Sequence, residues 1–448
     1  MGILLLRFLA AGQDAPVITD RDTVDRLYRR HRWRVMLAIS LGVVFMYMGR
    51  LSIGFAKVPM IHDGIFNAKE FGSIGSALLY TYAIGKLVNG FLADHVNIRR
   101  FFAFGILLSG LLNIGMGLTT TLWVAVVLWG LNGWVQSVTA PSGAVSIVSW
   151  FGSRERGRVY GTWSAMHSLG EGLSAIVTAW VVAVLGWRFG YFVPAMFCLA
   201  TAALVYAFAQ DRPATLGLPN VGDWKGEGAG PVAEQKVRNI LTVQYSVLLR
   251  PAIWLLALAS AANYVTRFAL LSWGPLYLQE ERGLSLTMAG ILLTVPTFAG
   301  VAGSVLYGLT SDWLFAGRRP PANLLFSVVE LAGLCLIFFG PRSQTVLIAG
   351  LVLVGFGLAG LVTSLGGLFA VDMSPRPAAG AAIGLIGLCS YLAAGVQERV
   401  SGALIERGKR GIDAVITHDF GPAIWFWVGS AVVSMVLALT LWRVKPRS

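Results

Sequence analysis

The sequence predicts an all-α membrane protein with twelve transmembrane helices in two pseudosymmetric six-helix bundles. Of its 448 residues 56% are hydrophobic and only 13% charged, against about 25% charged in an ordinary soluble domain. Apolar stretches long enough to cross a hydrocarbon core about 30 Å thick recur along the whole chain. Two local patterns of the first half return in the second at nearly one spacing. Inside such stretches the backbone must satisfy its own hydrogen bonds, so each reads as a helix. The 53 glycines fit helices that approach closely through small side chains.

Residues 1–34 read as an N-terminal arm. Met1 to Gly12 is apolar but too short to span, and the basic segment Arg21 to Arg34 follows it. Lacking a charged region at its start, the arm is expected to be cytoplasmic or interfacial and not a signal peptide. The first bundle, 35–209, holds spans near 35–56, 71–93, 101–120, 122–148, 159–185 and 189–209. Residues 210–251 carry Pro213, Pro219, Gly226, Gly228, Gly230 and mixed charges, and form the linker. The second bundle, 252–442, holds spans near 252–278, 285–311, 323–341, 345–371, 378–405 and 421–442, and residues 443–448 form a tail.

Lysine and arginine set the orientation. With the N-terminus in the cytoplasm, 23 of the 35 lie on the cytoplasmic side and eight on the other, Lys57 among them. The remaining four, Arg50, Lys86, Arg267 and Arg399, fall inside spans. The net charge of +13 is therefore mostly a topology signal and argues against a nucleic-acid role. Cys198, Cys335 and Cys389 have no pairing or metal-ligand spacing and read as small hydrophobes. No nucleotide-binding loop, nucleophile–base pair or metal cluster stands out, so neither an enzyme nor a cofactor is expected.

The repeats relate the bundles. Tyr47-Met-Gly-Arg50 recurs as Tyr264-Val-Thr-Arg267, an offset of 217, and Gly90-Phe-Leu-Ala-Asp94 recurs as Gly308-Leu-Thr-Ser-Asp312, an offset of 218. Arg99 and Arg100 follow the first loop, Arg318 and Arg319 the second. Such duplication matches halves related by an axis along the membrane normal, with Arg50 and Arg267 on opposite sides of a central cavity.

A cation at membrane depth costs several kcal/mol unless something justifies it. Arg50, Arg267, Lys86 and His167 can be helix-pairing or snorkelling groups, or an anion site at the midplane. Two symmetric arginines beside a lysine and a histidine favour the anion site, each guanidinium offering a planar fork to phosphate or carboxylate. Tyr47 and Tyr264 lie three residues before an arginine and Tyr82 four before Lys86, on the same helix faces. They can donate to an anion or pack on its organic part, or serve as interfacial anchors. In the loops, Asp94 with Arg99 and Arg100, and Asp312 with Arg318 and Arg319, can form ion pairs that break and remake as the halves rock.

These loops resemble the conserved loop motif of the major facilitator superfamily. More narrowly, the chain resembles the organophosphate:inorganic phosphate antiporter family, which includes glycerol-3-phosphate and hexose-phosphate transporters and a hexose-phosphate sensor. The resemblance runs from about residue 40 to 440. It is carried by Gly85-Lys86, Trp150-Phe-Gly-Ser-Arg-Glu-Arg-Gly157, Trp163-Ser-Ala-Met-His167, Asp211-Arg-Pro213 with Gly217-Leu-Pro219, Arg267 with Trp273, Pro275, Tyr277 and Leu278, and Ala378-Ala-Gly380 with Gly384. It implies a major facilitator fold in the bacterial inner membrane, with Arg50 and Arg267 gripping a phosphoryl group. Lys86 would add charge and His167 a hydrogen bond or titratable cation, while Tyr47, Tyr82, Tyr264 and Tyr391 match binding-site tyrosines.

The departures are specific. After His167 the chain reads Ser168-Leu-Gly-Glu171, where the family has asparagine and paired glycines, which brings a carboxylate one turn from His167. Ser272 stands where aspartate is common, and Gln397-Glu398-Arg399 is a charged run inside the eleventh span. Three functions remain open at this point: exchange of an organophosphate for inorganic phosphate by alternating access, proton-coupled organic-anion symport through Glu171 or Glu398, and sensing of hexose phosphate with signalling to a partner kinase. Leu218-Pro-Asn-Val-Gly-Asp-Trp224 resembles the sensor branch.

Overall fold

The computed structural model describes residues 8–227, 245, 247–374, 379–412 and 415–442. The tail with Arg443, Lys445 and Arg447, the linker glycines Gly228 and Gly230, Ala378 and the first residues of the arm lie outside the described residues. Among the described residues, twelve helical spans build two bundles. The first bundle comprises Arg21–His62, Ala68–Ala93, Ile98–Leu118, Leu122–Trp150, Ser153–Leu185 and Phe189–Phe208. The second comprises Pro251–Glu280, Leu286–Leu314, Arg319–Phe339, Gln344–Met373, Ala379–Arg407 and Gly421–Thr440.

Capping residues start many of these helices where the hydropathy pattern does not. The first begins at Arg21, because the Asp20 carboxylate accepts from Thr23 N at 3.1 Å. The segment expected as a separate basic arm is thus a solvated extension of the first span. The second begins with a capping box, in which Asn67 accepts from Glu70 N at 2.9 Å and Glu70 accepts from Asn67 N at 2.8 Å. The fifth begins at Ser153, six residues before the expected start. There the Glu227 carboxylate accepts from Ser153 N at 2.8 Å.

The first span also ends later than expected, at His62 and not near 56. Ser52 keeps helical angles (φ −53°, ψ −33°) and hands the helix on to Ile53–His62. Lys57 is therefore buried at membrane depth, only 1% exposed, and the assignment of this residue to a loop is corrected. Among the described residues, eleven spans are both long and apolar enough to cross a membrane. The second has the length, at 26 residues, but not the apolarity. Its Ser76, Thr81, Tyr82 and Lys86 lower the mean hydropathy, and the helix packs on the fourth and eleventh spans.

The halves meet chiefly where the second span crosses the eleventh, the fifth meets the start of the eighth, and Ile53–His62 meets the seventh. Glycine makes the first of these crossings possible. A Cβ on Gly72 would stand 2.6 Å from the Glu398 carbonyl oxygen, and one on Gly402 would stand 2.4 Å from that of Ala68. One apolar cluster, containing Phe55, Ile74, Trp129, Trp273 and Leu276, runs through both halves on the side away from the N-terminal arm. Toward the arm, each half keeps a separate core, one around Tyr28, Phe102 and Trp150 and one around Leu256, Phe326 and Leu365.

On the arm side the Leu218–Trp224 stretch folds back onto the first span. The Tyr28 hydroxyl donates to the Pro219 carbonyl at 2.5 Å, and its ring stacks on Trp224 with centroids 4.1 Å apart. The far side is closed by side chains from both halves. Glu280, at the end of the seventh span, accepts from His62 Nε2 at 3.0 Å. The same carboxylate lies 3.0 Å from His418 Nδ1, on a short hairpin of Lys409–Ile412 paired with Val415–His418.

Candidate functional site

Arg50 lies in the last turn of the helix Arg21–Leu51 of the first span, and its place is fixed from behind by polar side chains. Asn132 donates to the Gly49 carbonyl at 3.5 Å and accepts from Ser109 Oγ at 2.7 Å. Gln136 donates to the same Ser109 hydroxyl at 3.0 Å. Ahead of it, the guanidinium lies 4.2 Å from the Tyr47 ring centroid and 5.0 Å from that of Tyr82. Arg50 is 7% exposed, and among the described residues no carboxylate lies within ion-pair reach of it. Phenol faces and edges satisfy part of a guanidinium's needs and leave its donors available to an incoming anion.

Arg267, its counterpart on the seventh span, is placed differently. Its NH2 lies 3.3 Å from Oε2 of Glu171, on the fifth span of the other half. The second oxygen of that carboxylate accepts from Thr297 Oγ1 at 3.1 Å. Glu171 thus faces the cavity, joined to both the seventh and the eighth spans. The pair that looks symmetric in the sequence is electrically unequal: one arginine is held by phenols and the other by a carboxylate.

The tyrosines gather between them. Tyr391 of the eleventh span lies 4.6 Å from Tyr82 and 5.5 Å from Tyr264, centroid to centroid. Lys86 Nζ is 5.6 Å from the Tyr391 ring. His167 sits between aromatic rings, 5.2 Å from Tyr47 and 4.7 Å from Trp163, with Nδ1 3.2 Å from the Ser164 carbonyl. All eight residues expected at the site converge on one region: Arg50, Arg267, Lys86, His167, Tyr47, Tyr82, Tyr264 and Tyr391.

Lys57 was missed as a site neighbour. It lies seven residues after Arg50, hence two turns farther along the same face. Its Nζ donates to Ser272 Oγ at 2.7 Å and stands 3.6 Å from the Trp273 ring centroid. Glu398, 3% exposed, lines the same small cavity with Arg50, Lys57 and Ser272. The charged run splits, with Glu398 turned inward and Arg399 exposed. Thr297 was missed as well. Its role depends on where the fifth and eighth spans cross, which no local pattern records.

The loop charges behave differently in the two halves. Arg319 pairs with Asp312 at 3.1 Å and with Asp372 at 2.7 Å. Arg318 lies over Trp442, 5.9 Å from the ring. In the first half the expected ion pairs with Asp94 do not form. Arg99 donates to the Tyr206 carbonyl at 2.6 Å and Arg100 to that of Phe8 at 2.9 Å. The carboxylate active in that region is Asp211, which accepts from Ile98 N at 2.8 Å.

Residues 39–397 match the Major Facilitator Superfamily model. The chain is 32% identical over 440 residues to the membrane sensor protein UhpC of Salmonella typhimurium, covering 97% of this chain and 95% of that protein. It is 31% identical to a probable hexose phosphate transport protein of Chlamydia trachomatis (96% and 95% covered) and 28% identical to the glycerol-3-phosphate transporter of Bacillus subtilis (96% of each). These relatives are transporters and a sensor, not enzymes. Among solved structures, an inward-facing bacterial homologue of the lysosomal transporter Spinster matches with a TM-score of 0.72 at 14% identity, covering 91% of this chain and 95% of that one. The chain therefore belongs to the Major Facilitator Superfamily, in the group that holds these hexose phosphate and glycerol-3-phosphate transporters and the sensor.

Proposed function

We propose that this protein exchanges an organophosphate of the sugar phosphate or glycerol phosphate class for inorganic phosphate by alternating access, in a bacterial inner membrane with both termini cytoplasmic. The observation that carries this reading is Arg50, buried at the interface of the halves with phenols around it and no carboxylate on it. A buried guanidinium without a counter-ion is costly. A phosphoryl group supplies the missing charge and a geometry that matches the fork. Lys86 stands beside the Tyr391 ring and His167 beside that of Tyr47, and Tyr82, Tyr264 and Tyr391 form a wall for the organic part. The relatives that transport hexose phosphate and glycerol 3-phosphate support the substrate class.

Exchange follows from the cost of the empty site. A bound dianion neutralises the cations and draws the halves together, whereas closing on bare charges strands them in low dielectric. The Arg319–Asp312–Asp372 cluster is suited to gating on the arm side. The experiment is exchange of radiolabelled phosphate in proteoliposomes of purified protein, challenged with glucose 6-phosphate, glycerol 3-phosphate and 3-phosphoglycerate. Inhibition by one of them names the substrate.

A second reading is favoured by the Leu218–Trp224 stretch docked on Tyr28 and by the similarity to the sensor. In it the same pocket binds hexose phosphate and the arm side signals to a partner kinase. Tight binding without exchange would select this reading.

A further inference from the structure

Glu171 is the carboxylate that reaches the midplane arginine pair, and its position follows from the residue before it. A Cβ on Gly170 would stand 2.8 Å from the Val44 carbonyl oxygen, so only glycine lets the fifth span lie this close to the first. The next side chain is turned away from that contact, toward the other half. Both of its oxygens are then engaged there, one by Arg267 at 3.3 Å and one by Thr297 at 3.1 Å. The pair is not sealed: its side chains keep 25% exposure at Arg267 and 15% at Glu171. Both border a cavity of about 210 Å³ that is also lined by Gly300, Ser304 and Thr363.

We propose that Glu171 is a specificity- and coupling-determining residue, a tethered anion that occupies Arg267 when the carrier is empty. The proposal rests on the organophosphate reading of the cavity. Two consequences follow from the charge. In a carrier with two bare arginines, the empty form reorients poorly because each unpaired guanidinium is costly in low dielectric. Here one of the two is compensated by a charge that travels with the protein, and the bond itself links the halves. The empty form therefore returns more readily than it would with both arginines bare, and a slow net transport accompanies the exchange.

The second consequence concerns selectivity. A phosphate that takes Arg267 must displace a carboxylate held beside it at an effective concentration of roughly millimolar or more. Inorganic phosphate brings no other contacts to offset that competition. An organophosphate brings its organic part to the tyrosines and the cavity, so it loses less. Glu171 thus shifts preference from inorganic phosphate toward the organic ester.

The test uses purified full-length wild type, Glu171→Gln and Thr297→Val, which keeps the carboxylate but removes one of its donors. Proteoliposomes loaded with radiolabelled phosphate are diluted into phosphate-free medium and into medium with phosphate. Affinities for phosphate, glucose 6-phosphate and glycerol 3-phosphate are measured by titration in detergent. The wild type is expected to release phosphate into phosphate-free medium at a rate within about tenfold of exchange. Glu171→Gln is expected to lower that ratio at least about tenfold and to bind inorganic phosphate about tenfold more tightly, the scale of one lost charge-assisted contact. Thr297→Val shifts both readouts the same way by less.

An unchanged release-to-exchange ratio in the variants overturns the inference and leaves the exchange reading intact. If the wild type binds without exchanging, affinity alone decides, and equal phosphate affinity in wild type and Glu171→Gln overturns it. If no protein exchanges or binds any of these phosphates, the organophosphate reading falls and the inference with it.

Discussion

Lys57 of the first span reaches across the interface to Ser272 of the seventh, Nζ to Oγ 2.7 Å, beneath the Trp273 ring at 3.6 Å. Glu398 borders the same cavity, so an ammonium, an indole and a carboxylate from three helices share one buried spot. Lys57→Met removes the cation–π contact, worth about 2 kcal/mol when desolvated, and leaves Glu398 without its nearby cation. Thermal unfolding in detergent should show the loss. The double variant Lys57→Met/Glu398→Gln should recover part of it. A double variant no more stable than the single one would show that the two side chains do not interact.

Arg50 faces phenols, and under the proposed function it takes the phosphoryl group. Arg50→Lys keeps the charge but gives up the planar fork. Loss of a charge-assisted hydrogen bond, about 1.5–3 kcal/mol, corresponds to a drop in phosphate exchange of roughly ten- to a hundredfold. The unfolding temperature is expected to stay near that of the wild type, since no ion pair is broken. Near-normal exchange by this variant would count heavily against a phosphoryl site at Arg50.

The crossing of the second and eleventh spans depends on missing side chains. Gly402→Val puts a Cβ 2.4 Å from the Ala68 carbonyl oxygen, against backbone that has no other place to go. Overpacking of this kind costs about 1–3 kcal/mol, and here the strain falls on contacts between halves. The variant should bind phosphate with altered affinity as well as melt earlier. Unchanged melting and binding would mean that the helices separate freely at this point.

Glu280 ties His62 to the hairpin at His418 and closes the far side. With Glu280→Ala, a cysteine introduced at Ser272 in a cysteine-free background should react faster with a membrane-impermeant maleimide. Equal labelling rates would assign the closure to the apolar cluster around Trp273 and Leu276 alone.

Much of this architecture is legible in the sequence. Apolar run length marks helices reliably because lipid offers the backbone no partners, and the offsets between Tyr47–Arg50 and Tyr264–Arg267 carried the pseudosymmetry. The grouping of Arg50, Arg267, Lys86, His167, Tyr47, Tyr82 and Tyr264 was legible too, since a cation or a phenol beside one stands out in an apolar span, while Tyr391 came from the family resemblance alone. Boundaries were less so. The first span ran on to His62 because Ser52 continues the helix, and a hydropathy reading that stopped near residue 56 left Lys57 in a loop.

What the sequence determined by itself was the set of helices, their pairing into halves and four of the cations inside spans, Arg50, Lys86, Arg267 and Arg399. These depend on transfer free energies of local segments, which neighbouring residues already define. The tertiary structure alone decided which partner each charge received. It gave Glu171 to Arg267, left Arg50 among phenols, and turned Glu398 inward with Lys57 while Arg399 turned outward. Those outcomes depend on the rotation and crossing point of helices far apart in the chain. A shift of one residue in helical phase, about 100° around the axis, exchanges a partner for lipid.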